Sequence, residues 1–146
     1  MDKITITVNG KDFQVDPGQT VLSACLAIGI DIPRLCWHPR TRVYGGCRLC
    51  IVEIEGMRGL PISCGTDVKE GMKVKTDTPQ IESVRRMIVE LLIASGDHNC
   101  MVCEKNGSCS VQRHPPTRRL IVARLPRGSA GLLPRRRFRR VPLLPT

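Results

Sequence analysis

Residues 36–50 read CWHPRTRVYGGCRLC, placing three cysteines, two glycines and three arginines in one loop between an apolar helix-like stretch and an apolar strand-like stretch. With Cys64 the cysteines are spaced C-x10-C-x2-C-x13-C. Thiolates two residues apart converge on one metal centre from a single loop, and Cys36 and Cys64 close the site from either side. Four thiolates suit tetrahedral zinc or an iron-sulfur cluster, and spacing leaves that choice open. A centre bound by four thiolates is negative and needs backbone N–H groups aimed at its sulfurs, so the loop must approach closely. Gly45 and Gly46 permit that approach. Arg40, Arg42 and Arg48 could offset the charge, or could simply be solvated loop residues.

Outward from this loop the chain reads as a compact α+β unit. KITITVNG alternates Ile4, Ile6 and Val8 with polar residues, Asn9-Gly10 gives a tight turn, and KDFQV alternates again, the pattern of a β-hairpin. A short amphipathic helix follows, with Asp16 or Thr20 as cap, Val21, Leu22, Cys25, Leu26 and Ile28 at helical spacing, and Gly29 as stop. CIVEIEG reads as a strand, LPISCGTDV as a turn-rich return, and MKVKTDT as a short alternating strand. From Pro79 a longer helix places Ile81, Val84, Met87, Ile88, Leu91 and Leu92 on one face and Gln80, Glu82, Arg85 and Arg86 largely on the other, ending at Gly96. Aromatic residues make up only 3% of the 146 residues, so the core has to come from Ile, Val, Leu and Ala. Cys25, outside the spacing pattern and on the apolar face of the short helix, is expected in that core. The start lacks a signal-peptide pattern, which argues against disulfides, and the longest uncharged apolar run, residues 21–30, falls well short of the roughly 20 residues that span a bilayer.

The segments GIDIPRLCWHPRTRVYGGCRLCIVEIEG and PISCGTDVKEGMKVKT resemble the [2Fe-2S] ferredoxin domain at the N-terminus of the large iron-sulfur subunit of complex I type NADH dehydrogenases, iron-only hydrogenases and NAD(P)-linked formate dehydrogenases. The resemblance covers residues 1–78. It implies a β-grasp fold in which Cys36, Cys47, Cys50 and Cys64 hold a [2Fe-2S] cluster. The spacing departs from the plant-type C-x4-C-x2-C pattern.

A second group, His98, Cys100, Cys103 and Cys109, follows the long helix as H-x-C-x2-C-x5-C. Three thiolates and one imidazole could ligate a second metal centre, less negative than four thiolates. LLIASGDHNCMVCEKNGSC is similar to the family's His(Cys)3 [4Fe-4S] region, which implies a small helical iron-sulfur domain over residues 79–110. Most relatives carry the histidine four residues before the first cysteine, where this chain has Gly96. His98 lies two before, as in the diaphorase small subunits of some bidirectional hydrogenases. It is the expected fourth ligand, with Asp97 or a group from elsewhere as the alternative. A Cys3His zinc site is the competing reading.

The net charge of +10 is unevenly placed: up to Glu104 there are 12 Lys and Arg against 13 Asp and Glu, and beyond it 11 basic residues and no acid. Where relatives continue with CELQ and further helices, Ser110 and Val111 stand in place of Glu and Leu, and from Gln112 the resemblance is expected to stop. Residues 111–146 are rich in Arg, Pro and Leu, a composition that GC-rich DNA read out of frame tends to give, so this tail is expected to be disordered or the product of a frameshift. Its prolines prevent a continuous amphipathic helix and it holds one aromatic, Phe138, so nucleic-acid binding is disfavoured.

The expected function is an electron-transfer module that passes single electrons between a flavin- and NAD-binding subunit and a catalytic centre in a dehydrogenase or hydrogenase complex. Catalytic residues of its own are not expected: there is no G-x-G-x-x-G fingerprint and no C-x2-C-x2-C-x3-C-P run. The expected location is the cytoplasm, with any attachment to the inner face of a membrane made through partner subunits. The alternative is a binding module in which zinc or iron is structural and the basic tail engages nucleic acid.

Overall fold

The computed structural model describes residues 3–95, 99–100 and 102–113. Strands β1 (Ile4–Val8) and β2 (Lys11–Val15) form an antiparallel hairpin in which Val8 faces Lys11 across two residues. Asn9 and Gly10 have φ of 51° and 80°. Left-handed backbone at both central positions makes a turn whose twist matches that of the flanking strands, as the sequence leads one to expect.

Helix α1 (Val21–Ala27) begins at Thr20, whose Oγ1 accepts from the Ser23 N–H at 3.3 Å, so Thr20 and not Asp16 is the cap. It ends in a Schellman motif: Ile30 N donates to Cys25 O at 2.8 Å and Gly29 N to Leu26 O at 3.1 Å, with Gly29 at φ 82°. Strands β3 (Glu53–Ile54) and β4 (Lys73–Lys75) complete a four-stranded sheet of order β2-β1-β4-β3, in which β1 and β4 are parallel and the other pairs antiparallel. A parallel pair needs a long crossover. Here that crossover holds α1 and the cysteine loop.

Ile6 and Val8 of β1, Val74 of β4 and Ile54 of β3 pack with Val21, Leu22, Ala24 and Cys25 of α1 into one core, which also includes Cys50 and Cys64. This is the expected α+β, β-grasp arrangement, and Cys25 is a core residue as expected.

Two expectations need correction. The strand read over residues 50–56 is only two residues long. Pro61 has no N–H to donate, so beside it the pairing shrinks to an isolated Ile51–Ile62 bridge and a Val52 N–H bond to Pro61 O at 3.0 Å. The long helix, α2 (Pro79–Ala94), does start at Pro79, with Thr78 as its cap, but its buried residues are Ile81, Arg85 and Val89. At about 100° per residue Arg85 falls between Ile81 and Val89, while Met87 and Leu91, expected inside, are exposed. The expected stop at Gly96 lies outside the described residues. A four-residue helix, α3 (Ser110–Arg113), follows the second cysteine group. No helix among the described residues is long and apolar enough to cross a membrane.

Candidate metal centre

The loop from residue 31 to 50 is held at both ends and open in the middle. Ile32 is fully buried, and Arg34 binds Asp31 at 2.5 Å while its guanidinium lies 5.5 Å from the Trp37 ring. Residues 38–44 are exposed, including Arg40 and Arg42. The chain turns inward at Gly45, which is buried at φ 66° and where an added Cβ would come within 2.8 Å of Ile62 Cδ1. Only glycine fits there. Arg48, between two cysteines, also has positive φ, 57°, an uncommon state for a residue with a side chain. Its own side chain is exposed.

These bends bring the predicted thiols together in two pairs, Cys36 with Cys47 and Cys50 with Cys64. Cys47 N donates to Cys36 Sγ at 3.5 Å. Ser63 N donates to Cys50 O at 2.8 Å, which sets Cys64 beside Cys50 at the start of a 3-10 turn, Ser63–Gly65. Thr66 O accepts from Val21 N at 2.8 Å and ties this turn to α1. Cys50 and Cys64 are each 1% exposed; Cys36 and Cys47 are half-buried.

The thiols differ in acidity for local reasons. Burial pushes the Cys64 thiol up, to about 12, helped by the neighbouring Cys50 sulfur and by the charges of Cys36 and Cys47. Burial also raises Cys47, but hydrogen bonds from the backbone of Leu49, Cys36 and Leu35 and from the Cys36 side chain outweigh it and bring Cys47 below the usual thiol range. Backbone donors aimed at a sulfur are what a charged thiolate requires. Cys25, by contrast, is raised to about 11 by burial alone.

The surroundings also fit an iron-sulfur cluster. Ser63 is 0% exposed, and its hydroxyl has no hydrogen-bond partner among the described residues. Leaving such a group unmatched costs about 1–3 kcal/mol, and a thiolate or sulfide nearby is an acceptor for it. A two-iron cluster takes two thiolates on each iron.

A buried positive charge beside Cys50 is one that a reading of the sequence places on the solvent face of α2. Arg85 is 8% exposed and donates from Nε to Leu49 O at 3.0 Å and from Nη2 to Ile51 O at 2.8 Å. The two carbonyls flank Cys50. Its one signal in the sequence is its place at i+4 from Ile81 and i−4 from Val89.

In the second group Cys100 and Cys109 are half-buried and Cys103 is exposed, while His98, Gly96 and Asp97 lie outside the described residues. The loop between Cys103 and Cys109 is closed by Asn106 N to Cys103 O at 2.9 Å and by Gln112, which accepts from Gly107 N at 2.9 Å and donates to Asn106 Oδ1 at 3.2 Å. Gln112 belongs to the motif, although the resemblance is expected to stop there.

Comparison with known proteins agrees with this geometry. Residues 1–79 match the 2Fe-2S iron-sulfur cluster binding domain, and residues 85–114 the NADH-ubiquinone oxidoreductase-G iron-sulfur binding region, past Gln112. The chain is 39% identical over 111 residues to the mitochondrial NADH dehydrogenase (ubiquinone) iron-sulfur protein 1 of Solanum tuberosum, covering 76% of this chain and 15% of that protein. It is 39% identical over 117 residues to the NADP-reducing hydrogenase subunit HndD of Solidesulfovibrio fructosivorans, covering 77% of this chain and 20% of that one. Among solved structures, an NAD+-reducing [NiFe]-hydrogenase in the H2-reduced state aligns with TM-score 0.70 and 42% identity, over 75% of this chain and 46% of that one. The chain thus spans a fifth or less of these curated relatives. It belongs to the family of 2Fe-2S iron-sulfur cluster binding domains, continues into a [4Fe-4S] region of the NADH-ubiquinone oxidoreductase-G type, and is an iron-sulfur electron-transfer module.

Proposed function

We propose that Cys36, Cys47, Cys50 and Cys64 hold the [2Fe-2S] cluster, that Cys100, Cys103 and Cys109 with His98 hold the [4Fe-4S] cluster, and that the module relays single electrons between a flavin- and NAD-binding subunit and a catalytic centre of a dehydrogenase or hydrogenase complex. In the domain division this implies, residues 1–78 carry the first cluster, residues 79–110 the second, and residues 111–146 form a tail. The complex works on the cytoplasmic side. The convergence of four thiols in two contacting pairs, Cys36 with Cys47 and Cys50 with Cys64, supports this reading above all else.

When bound, such clusters gain and lose one electron at a time without bond-making chemistry. The protein supplies the surroundings. Cys50 and Cys64 keep one side of the site dry, the half-buried Cys36 and Cys47 keep the other near the surface, and the N–H groups around Cys47 stabilise thiolate charge. The orphan hydroxyl of Ser63 is a further donor for sulfur.

Anaerobic reconstitution of the full chain, followed by iron analysis and EPR after dithionite, tests the assignment. A two-iron and a four-iron centre with distinct signals are expected. Cys50→Ser should remove the first signal and leave the second, while Cys100→Ser and His98→Ala should do the reverse. Protein that stays colourless and iron-free would refute the assignment, and loss of both signals in each variant would refute the division between the two sites.

A further inference from the structure

Arg85 is almost enclosed, yet neither of the groups it donates to carries a charge: both are backbone carbonyls, Leu49 O and Ile51 O. Among the described residues no carboxylate lies within ion-pair distance of it; the ion pairs of α2 and the sheet use Arg86 and Lys73 instead. Burying an unbalanced guanidinium costs several kcal/mol. Burial lowers its pKa, and the groups that offset this are the Asp77 carboxylate, on an exposed side chain, and Cys50, which lies between the two carbonyls Arg85 holds.

We propose that Arg85 is a positioning residue of the first cluster: its fork of donors clamps the backbone on both sides of Cys50 from α2, and its buried charge raises the reduction potential of the centre that Cys50 ligates. This rests on the assignment of Cys36, Cys47, Cys50 and Cys64 to a [2Fe-2S] cluster. A centre that accepts an electron becomes more negative. A fixed cation in a poorly solvated position stabilises that state more than the oxidised one, because water cannot screen it well. The planar fork of Arg reaches two carbonyls at once, whereas Lys reaches them with a single ammonium. The basic residues of the loop itself, Arg40, Arg42 and Arg48, are exposed and screened. Because α2 leads into the second cysteine group, the same clamp ties the backbone of one cluster segment to the helix that carries the other.

The test is an EPR-monitored redox titration of the reconstituted full chain as wild type, Arg85→Gln, Arg85→Lys and Asp77→Asn, with iron counted in each. Arg85→Gln is expected to shift the midpoint of the two-iron signal to more negative values at unchanged iron content, and Arg85→Lys to stay closer to wild type. Asp77→Asn removes a charge that offsets the guanidinium and should shift the midpoint the opposite way. A wild-type midpoint in Arg85→Gln, or equal shifts in Arg85→Gln and Arg85→Lys, would overturn the proposal. If Arg85→Gln does not retain its cluster, Arg85→Lys decides, and a two-iron midpoint there well below that of wild type overturns the proposal. Wild-type protein without a two-iron signal would instead sink the underlying assignment.

Discussion

Cys25 and Cys64 are both enclosed thiols, and what surrounds them gives them different chemistry. Cys25 sits among Val21, Leu22 and Ala24 with burial as the sole cause of its raised pKa of about 11, whereas Cys64 answers to three other sulfurs as well. A thiol whose folded pKa lies above its ordinary value of 9.0 favours the folded state while it stays protonated. That contribution is fully present below about pH 9 and is lost as the pH rises towards 11. Cys25→Ala should therefore flatten this part of the alkaline fall in urea midpoints, at a cost of ~1 kcal/mol near neutrality from the lost packing. A wild-type and a variant curve that run parallel from about pH 8 to 11 would contradict the assignment of cause. At this scale the sequence shows which residue types can ligate, because thiol spacing is covalent. It hides the role of Arg85, since a charged residue in a helix normally marks the solvent face and only the neighbouring carbonyls reveal why this one is buried.

Among the elements, the hairpin and both main helices are legible from local signals: Asn9-Gly10 for the turn, Thr20 as one of two candidate caps of α1, Pro79 for the start of α2. Thr78 does more than cap. Its Oγ1 accepts from Ile81 N at 3.2 Å and donates to Glu53 Oε1 at 2.5 Å, so one hydroxyl joins α2 to β3. Thr78→Val keeps the shape and loses both bonds, and should lower stability by about 1–2 kcal/mol in urea unfolding. Thr78→Ser should restore most of it. Gly45 offers a sharper contrast within the loop. Gly45→Ala meets Ile62 Cδ1 and requires a left-handed backbone, so it should reduce iron incorporation at the first site, whereas Gly10→Ala in the hairpin, with open space around it, should strain the turn and leave iron content unchanged. Equal iron content in the two variants would count against a special role for Gly45. The shortness of β3 is not legible, because it depends on how Pro61 pairs across the return segment.

At the scale of the whole molecule, the buried residues among those described run from Ile6 to Val89. The sheet and α1 enclose a continuous apolar cluster, whereas none of the described residues from 99 to 113 is buried. A segment with so little packing depends on metal ligation for its folding free energy. Removing iron with a chelator under reducing conditions should abolish amide protection around residues 99–113 and leave that of β1, β2 and α1 in place, as read by hydrogen exchange. Equal protection with and without iron would show that this segment folds unaided. The sequence by itself determined the strand and helix order, the hairpin turn and the spacing of the thiols, because turn chemistry, periodicity and chelate reach are set by neighbours along the chain. Only the tertiary structure decided that Gly45 has no room for a side chain, that Ser63 holds an unmatched hydroxyl, and that Arg85 reaches over the backbone beside Cys50. Each of those depends on atoms brought together from distant parts of the chain, and burial is a property of that assembly.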